Sequence, residues 1–377
     1  MVDLKDSREE IDRIDRQIVE LFERRMRVAS DVAEYKRSIG KPIYDKEREQ
    51  QKLETVRSLC SSEFNGHAIQ EIFQQLMSIS RRYQHKLNDG SGHNDFTERN
   101  ALPDTPDTMV VYFGAPGSYS EQAMEECFGS GIRSFPAASF REVMAAVKEG
   151  RADYGVLPIE NTTTGGITDS YDLLVEFENY IVGEHVLRVS QALLGMPGAS
   201  LSDIRTVYSH PQGILQSRKF LERYPDMRAE DSGSTAGSAR KVAEDGDRTQ
   251  AAIASARAAK TYGLEVLAEN INSEDTNSTR FIVITNRREY LADAGKVSVC
   301  FSLPHRTGSL YRMLSNIIFN DLNMTKIESR PLAGRTFEYR FFVDFEGNLR
   351  EAAVQNTLAG IRSEALEMRL LGNFRTL

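Results

Sequence analysis

The sequence predicts a multidomain chain in which an all-α domain precedes an α/β domain and a small ferredoxin-like βαββαβ domain. Three observations support this prediction. Residues 5–87 show helical periodicity with one break, and strand-like and helical runs alternate from residue 109. Residues 296–377 follow the order strand, helix, strand, strand, helix, strand. At 377 residues the chain is long enough for two or three domains of ordinary size.

The periodicity of the first segment predicts three helices, over residues 6–39, 45–59 and 66–87. Its one clear break is Gly40-Lys41-Pro42, and a proline cannot continue a helix. Residues 88–107 are polar and rich in Gly, Pro, Asn and Asp, which is typical of a linker. We therefore place a helical domain at 1–88 and a linker at 89–107.

The middle segment predicts an α/β domain over residues 108–287 with a largely parallel sheet. The strand-like runs are MVVYFG, YGVLPIE, TVYSH, AAIA and FIVIT, and helices are expected from about Ser120, Ile167 and Pro211. A further break lies near 287–295. The last domain then has strands in KVSVCFSL, LNMTKIESRP, TFEYRFFVDF and LEMRLLG, with helices over about 308–319 and 349–362.

Composition restricts the classes of function. A net charge of −8 argues against a general nucleic-acid binder, and the chain has no apolar run of the roughly 18 residues that a membrane span needs. Three cysteines far apart give no disulfide framework, and six histidines show no metal-ligand spacing. We expect a cytoplasmic protein with no metal, no cofactor, no nucleic acid and no membrane partner.

The first predicted helix has a cation within its apolar seam. The apolar stripe follows steps of three and four through Ile11, Ile14, Ile18, Leu21, Val28 and Val32. Arg25 occupies the position that the series omits, and Lys36 lies about three turns further along nearly the same face. A cation in a seam is costly to bury unless an anion meets it. The alternative is a helical dimer whose polar seam residues only set its register.

Seven polar residues in a fixed order favour the catalytic interpretation, namely Arg8, Arg25, Lys36, Asp45, Arg48, Glu49 and Gln84. In type and spacing this set resembles the all-helical chorismate mutase family over essentially all of residues 5–87. The resemblance implies an interlocked homodimer in which Arg8 acts in the partner's site. It also implies a one-step rearrangement of chorismate to prephenate.

That chemistry suits these residue types, because the enzyme has only to hold a compact conformer and stabilise charge on the breaking ether oxygen. By the resemblance, the three arginines bind the carboxylates of chorismate, since their forks match carboxylate geometry. Lys36 and Gln84 donate to the ether oxygen, and Glu49 and Asp45 hold the ring hydroxyl. A dimerisation arm without catalysis is the alternative.

The middle segment has polar motifs where its predicted strands end, the edge at which α/β sheets bind ligands. The motifs are the Gly114–Ser120 turn with Ser118, the Pro158–Thr163 segment with Glu160 and Asn161, the pair Ser209 and His210 with Gln216 beyond them, and the triplet Thr279, Arg280 and Phe281. Ser234 and Thr235 are a further polar pair that is added to the expected substrate-binding residues. Each motif taken alone is as readily a helix cap or a turn.

Together these motifs resemble prephenate dehydratase over residues 108–287. The resemblance implies two α/β lobes like those of a periplasmic solute-binding protein, and a reaction that removes water and carbon dioxide from prephenate to leave phenylpyruvate. It makes Thr279 the acid at the leaving hydroxyl and places the other named residues around the substrate. An alternative proton source is Glu160, provided that burial raises the pKa of its carboxyl.

Residues 296–377 resemble an ACT module, a small-molecule sensor. The resemblance rests on Gly308-Ser309-Leu310 at a strand-to-helix turn and on Glu328-Ser329-Arg330-Pro331 at a strand end. The family's first motif reads Gly-Ala-Leu-Val, so Ser309 and Tyr311 depart from it. Asn323 is added to the expected site. The resemblance implies that phenylalanine bridges two such domains and inhibits the dehydratase; the alternative is a module that only dimerises.

Two other functions stay open at this point. A two-lobed sensor without chemistry predicts that Thr279 is dispensable. An arogenate dehydratase would use the aminated relative of prephenate, although a mutase on the same chain favours prephenate. The preferred hypothesis is a bifunctional enzyme of phenylalanine biosynthesis, with chorismate and prephenate as substrates, phenylalanine as effector, and a homodimer or higher homo-oligomer as its assembly.

Overall fold

A computed structural model describes residues 3–41, 43–87, 95–102, 105–274, 276–332 and 334–377. The first segment forms three helices, α1 Leu4–Ser38, α2 Lys46–Ser58 and α3 Glu63–Leu87. These bounds confirm the three predicted helices to within three residues. Aspartate caps begin two of them, because Asp3 accepts from the backbone N–H of Lys5 and Asp45 from that of Arg48.

The apolar stripe of α1 is largely uncovered within one chain. Side chains of Ile11, Ile18 and Leu21 are each more than half exposed, at 56%, 57% and 63%. A helix of 35 residues that leaves such a stripe in water is expected to have it covered by another surface.

The α/β segment forms two lobes, each with its own sheet. Residues 95–188 supply β1 Thr97–Arg99, β2 Met109–Phe113, α4 Tyr119–Phe128, β3 Arg133–Ala137, α5 Phe140–Lys148, β4 Tyr154–Asn161, β5 Gly165–Gly166, α6 Thr168–Phe177 and β6 Tyr180–Arg188. Residues 189–291 supply β7 Ala192–Gly195, β8 Thr206–Ser209, α7 Pro211–Gln216, α8 Arg218–Leu221, β9 Arg228–Asp231, α9 Thr235–Asp245, β10 Gln250–Ala254, α10 Ala256–Tyr262, β11 Glu265–Ala268, β12 Ser278–Thr285 and β13 Glu289–Leu291.

The chain leaves the first lobe after β6 and returns to it at β12, so strands β7 to β11 form the second lobe. Because β12 re-enters from the other lobe, it runs antiparallel to both of its neighbours, β4 and β6. In the second lobe β7 is antiparallel to β10 and β11. Both sheets are therefore mixed, and the prediction of a largely parallel sheet was wrong.

The C-terminal segment has the predicted βαββαβ order, in β14 Lys296–Ser302, α11 Ser309–Ile318, β15 Met324–Pro331, β16 Tyr339–Glu346, α12 Ala352–Glu364 and β17 Glu367–Thr376. Its sheet order is β15-β16-β14-β17, and β17 pairs in parallel with β6 of the first lobe. The two sheets are thus one continuous sheet, which joins the C-terminal domain to the first lobe.

Part of the predicted linker is structured. Residues 88–94, 103 and 104 of that segment lie outside the described residues, but β1 pairs in parallel with β13. Backbone pairing does not depend on apolar side chains, which is why a polar composition gave no sign of this strand. Across the described ranges, no helix combines the length and the apolar character that crossing a membrane requires.

Candidate active sites

The seam cation Arg25 joins α1 to α3. Its guanidinium donates to the carbonyl of Leu76 at 3.1 Å and also to the hydroxyl of Ser80. Burial lowers the pKa of Arg25, and the negative charge of Glu49 on α2 opposes that shift. The predicted cation therefore faces the helix that carries Gln84 and is held there by polar contacts.

Lys36 lies beside the start of α2. Its ammonium contacts the carbonyl of Ile43, and burial lowers its pKa against the opposing charge of Asp45. The hydrogen bond from the backbone N–H of Arg48 lowers the pKa of Asp45. Lys36 and Asp45 therefore lie close together where α1 ends and α2 begins.

Gln84 supplies an unused polar atom. The residue is 7% exposed, and its Oε1 has no hydrogen-bond partner among the described residues. A buried amide oxygen without a partner costs free energy unless a ligand or a water meets it. Glu49 forms an ion pair with Arg81 of α3, whereas the side chain of Arg48 is exposed.

Arg8 lies apart from this group. It is an exposed residue 17 positions before Arg25 on one continuous helix, which separates them by about 25 Å along the axis. One chain therefore brings Arg25, Lys36, Asp45, Glu49 and Gln84 towards one region and leaves Arg8 outside it.

The centre of the second site is the pair Asn161 and Thr279. They face each other across β4 and β12, and the side-chain amide of Asn161 donates to the hydroxyl oxygen of Thr279 at 2.9 Å. The orientation of that amide follows from the backbone, since the N–H of Thr163 donates to Asn161 Oδ1 at 2.9 Å. Because Thr279 accepts here, its own proton is available to a ligand.

A row of side-chain hydrogen bonds connects this pair to the second lobe. The hydroxyl of Thr163 donates to Asn161 Oδ1 at 2.6 Å, and Gln216 donates to Thr163 at 3.4 Å. Gln191 donates to Gln216 at 3.1 Å and accepts from the hydroxyl of Tyr119 at 3.2 Å. Gln216 was predicted for this site; Thr163 and Gln191 were not singled out, and a lone glutamine between two strands gives no signal in a sequence.

Glu160 lies on the other face of β4 from Asn161. Its carboxylate contacts Lys326 of β15 at 2.9 Å and Arg280 of β12 at 3.1 Å. Burial alone would raise the pKa of Glu160, but the hydrogen bond from Lys326 and the charges of Lys326 and Arg280 outweigh burial and lower it. The condition set for Glu160 as the alternative proton source, a pKa raised by burial, is therefore not met.

Arg280 lies on the face of β12 opposite Thr279, and Phe281, two residues beyond Thr279, lies in the protein core. Arg280 contacts Glu184 at 3.2 Å and Asp344 of the C-terminal domain at 3.0 Å. Burial by itself would lower the pKa of Arg280, but Asp344 and the other groups around it outweigh burial and raise that pKa. Phe281 is 2% exposed in the core of the first lobe. Arg280 is therefore engaged by carboxylates and Phe281 by the core, and contact of either residue with substrate stays a prediction.

Several of the other predicted polar residues act as helix caps. Ser118 accepts from the N–H of Glu121 at 3.3 Å, His210 from that of Gln212 at 3.1 Å, and Ser234 from that of Gly237 at 3.0 Å. Thr235 is the first residue of α9. Ser209 is fully buried, and its hydroxyl donates a hydrogen bond to the carbonyl of Ile253 at 2.8 Å. These contacts match the alternative of structural caps and turns.

The predicted effector residues lie mainly at one edge of the C-terminal sheet. Gly308 precedes α11 with φ +76°, a conformation that favours glycine, and Ser309 and Leu310 begin the helix. Strands β14 and β15 both have their C-terminal ends on this side of the sheet. There Arg340 of β16 is in register with Ser302 of β14 and with Arg330 of β15. The remaining members of the set are Asn323, Glu328, Ser329 and Pro331.

Strand β15 divides this set between its two faces. Arg330 forms an ion pair with Asp172 of α6 at 2.6 Å, and Glu328 lies against Gly166 of the first lobe. Ser329 and Pro331 are exposed on the other face, and Asn323 is exposed before the strand. Glu328 and Arg330 therefore hold the domain interface, while Ser329 remains accessible to a ligand.

Comparison with known proteins agrees with both halves of this arrangement. Residues 7–85 match the family "Chorismate mutase type II" and residues 110–289 match "Prephenate dehydratase". The chain is 32% identical over 379 residues to the bifunctional chorismate mutase/prephenate dehydratase of Aquifex aeolicus, covering 99% of this chain and 98% of that one. It is also 32% identical to the enzyme of the same name from Escherichia coli K12, covering 97% and 94%.

A solved structure, prephenate dehydratase from Arthrobacter aurescens in complex with L-Phe, covers 71% of this chain and 90% of its own, with 29% identity and a TM-score of 0.66. The Aquifex relative matches nearly the full length of the chain, and the helical segment has its own family match. The chain belongs to the family of bifunctional chorismate mutase/prephenate dehydratases.

Proposed function

We propose that the two activities of the family are divided between the two sites described above. The helical domain rearranges chorismate to prephenate. The boundary between the two lobes then converts prephenate to phenylpyruvate, a step of phenylalanine biosynthesis. The observation that carries the proposal is that separate family matches coincide with two separate groups of polar residues, one of cations and one of neutral amides and hydroxyls.

In the helical site, Arg25 and Arg48 bind the carboxylates of chorismate and hold its compact conformer. Lys36 and Gln84 donate to the ether oxygen, whose negative charge grows as its bond to the ring breaks. Glu49 and Asp45 orient the ring hydroxyl. Each ether-oxygen donor is worth on the order of 3–4 kcal/mol of barrier in a preorganised site.

A second copy of the chain completes the helical site. The uncovered stripe on α1 is the expected contact surface for that copy, and Arg8 lies on the same uncovered half of the helix. In an interlocked homodimer Arg8 reaches the partner's site, where it binds a carboxylate. This arrangement removes the apolar stripe from water and supplies the residue that one chain leaves outside its own site.

In the second site, Thr279 donates its proton to the departing ring hydroxyl of prephenate. The hydroxyl leaves as water, the carboxylate leaves as carbon dioxide, and the electrons of the broken carbon–carbon bond complete the aromatic ring. Asn161 donates to the oxygen of Thr279, which makes the Thr279 proton a stronger hydrogen-bond donor. A proton from solvent then restores the threonine. Gln216, Gln191 and Thr163 hold the two lobes in register around this centre.

Phenylalanine inhibits the second reaction by binding at the edge formed by Gly308, Ser309 and Ser329, between two copies of the C-terminal domain. The domain is an ACT-type sensor, and its sheet is continuous with the sheet that carries Thr279. A ligand that changes the position of β15 therefore acts on the first lobe through a rigid connection. The protein works in the cytoplasm, where both substrates are small soluble anions.

One experiment tests both assignments together. Purified protein receives chorismate alone, and the loss of chorismate and the appearance of phenylpyruvate are followed in parallel, with and without phenylalanine. We expect both signals, and we expect phenylalanine to slow the second. If prephenate accumulates instead, the second site does not use prephenate, and arogenate is supplied next to test the aminated alternative.

A further inference from the structure

Arg81, on α3, contacts two carboxylates that belong to different domains. Its guanidinium forms an ion pair with Glu49 of α2, and its Nη2 donates to Glu364 Oε1 of α12 at 3.1 Å. Glu49 belongs to the proposed mutase site, whereas Glu364 ends a helix of the C-terminal domain. Nothing in the seven-residue set or the ACT-type motifs includes Arg81 or Glu364.

This three-residue group is well shielded from water. The side chains of Arg81, Glu49 and Glu364 are 13%, 22% and 14% exposed, and the guanidinium lies 5.0 Å from the ring centre of Tyr44. Burial raises the pKa of Glu364, and the charge of Arg81 opposes that shift. Screening by solvent is weak at such a position, so removing one partner leaves a costly unpaired charge.

The group also lies on a cavity between the two domains. A space of about 820 Å³ separates α2 and α3 from α11 and the end of α12. Glu49, Arg81 and Glu364 line it, as do Gly308 and Ser309 of the proposed effector edge. Arg81 therefore connects Glu49 of the proposed mutase site to Glu364 of the C-terminal domain at the wall of this cavity.

We propose that Arg81 is a positioning residue of the mutase reaction: it holds the carboxylate of Glu49 towards chorismate, and Glu364 of the C-terminal domain holds Arg81. The proposal rests on the mutase assignment of the helical domain. An arginine fork can meet two carboxylates at once with fixed geometry, which a lysine cannot do equally well. The C-terminal domain thereby contributes to the geometry of a site about 280 residues away in sequence.

The groups that act on Glu49 come from several elements. Its pair with Arg81 is the direct contact, and the charges of Arg25 and Lys36 on α1 also interact with it. Among the described side chains, neither α1 cation is paired directly with Glu49, so Arg81 is the group that fixes the direction of its carboxylate. Loss of Arg81 leaves the substrate-binding arginines in place but releases Glu49.

The test measures mutase kinetics of the full chain after Arg81→Met and Glu364→Gln. We expect Arg81→Met to lower kcat about 10-fold, the factor expected for one charge-assisted hydrogen bond, with KM within about two-fold because the arginines that bind carboxylates remain. Glu364→Gln should lower kcat about three-fold, and Arg81→Lys should fall between wild type and Arg81→Met. Dehydratase kinetics should not change in any of the three.

A double variant separates positioning from general damage. If Glu364 acts through Arg81, Glu364→Gln has no further effect on mutase kcat once Arg81 is Met. Additive losses, or a loss of dehydratase activity in parallel, overturn the proposal. Glu367→Gln is the matched control, because Glu367 pairs with Arg340 on the surface of the same domain at 3.2 Å and should have no effect on the mutase.

Failure of the mutase assignment is distinguishable from failure of this proposal. Glu49→Gln is measured alongside: unchanged mutase turnover in that variant removes Glu49 from the site and contradicts the proposed function. If Glu49→Gln lowers mutase turnover but Arg81→Met has the kinetics of the wild type, only the role of Arg81 is contradicted. Thermal unfolding of each variant identifies any that fail to fold, and Arg81→Lys and Glu364→Gln then decide the question.

Discussion

The two proposed active sites of this chain are built from different kinds of side chain. The helical site uses arginines, a lysine and carboxylates, and one chain leaves Arg8 outside it. The site between the lobes is centred on neutral amides and hydroxyls that one chain brings together through Asn161 and Thr279. Charge suits a pericyclic step, in which a dianion is only held and polarised, whereas an oriented hydroxyl suits a step in which a proton must move.

The sharpest test of this comparison is Thr279→Val, which removes the hydroxyl and keeps the shape. We expect dehydratase kcat to fall on the order of 1000-fold, within the range for a positioned general acid, while mutase kinetics stay as in wild type. Direct binding measurements should show that prephenate still binds. Thr279→Ser is the matched variant and should retain most of the activity; turnover of the valine variant within a few-fold of wild type would disprove the acid role.

Arg25→Ala tests the opposite site. We expect mutase kcat/KM to fall on the order of 100-fold, because a preorganised donor to a substrate anion is lost, and dehydratase turnover with added prephenate to be unaffected. Arg24→Ala is the matched control, since that neighbour is exposed on the same helix. Comparable losses of both activities in Arg25→Ala would contradict the idea of two independent sites.

Gln191→Leu tests whether the second site needs both lobes. The side chain of Gln191 joins Tyr119 to Gln216, so its removal interrupts the row of hydrogen bonds between the lobes. We expect dehydratase kcat/KM to fall about 10-fold, the effect of one lost buried hydrogen bond with an unpaired partner. Gln212→Leu, an exposed change on α7, serves as the control. Equal kinetics of both variants would show that the contact between the lobes is not used.

Gly308→Ala tests the effector edge. Because Gly308 has φ +76°, an alanine there is strained and distorts the turn into α11. We expect the phenylalanine concentration for half inhibition to rise several-fold, about the effect of 1 kcal/mol, with uninhibited turnover preserved. Gly334→Ala is matched in backbone angle, φ +76°, but has open space around it. Unchanged inhibition in Gly308→Ala would place the effector elsewhere.

Glu160→Gln has the smallest expected effect and decides between two proton donors. Because Glu160 lies on the face of β4 away from Thr279, we expect dehydratase kcat within about three-fold of wild type, as for a change outside the reacting groups. Its pKa is lowered, so the carboxylate is charged at neutral pH and loses its pairing only as pH falls through that lowered value. An acid limb of the pH–rate profile that disappears in the glutamine variant would restore Glu160 as the acid.

The sequence predicts one region better than the other for a physical reason. In α1 a step of three or four residues places Arg25 on the same face as the stripe, and the contact with Ser80 follows from that geometry. In β4 the neighbours Glu160 and Asn161 point to opposite faces because a strand alternates. The alternation is visible in the sequence, but the face that meets the second lobe depends on β12 returning antiparallel beside β4.

Contacts between distant segments could not be predicted from the sequence, because they too depend on how separate elements pack together. Gln191, Arg81 and Glu364 have no local pattern, since their partners come from other elements tens or hundreds of residues away. Cap residues such as Ser118 and His210 were ambiguous because the same hydrogen-bonding groups serve a helix start and a ligand. Two-lobed organisation and its site centre were predicted only through resemblance, whereas the helices followed from periodicity alone.

The pairing of β17 with β6 has a consequence for how the chain is made. About 180 residues separate these strands, so a ribosome needs roughly 10–35 s to produce β17 after β6 has emerged. Throughout that interval one edge of β6 presents unpaired backbone groups, which is the kind of surface on which nascent chains aggregate. The first lobe therefore reaches its final sheet only late in translation, and it depends on the last strand of the C-terminal domain.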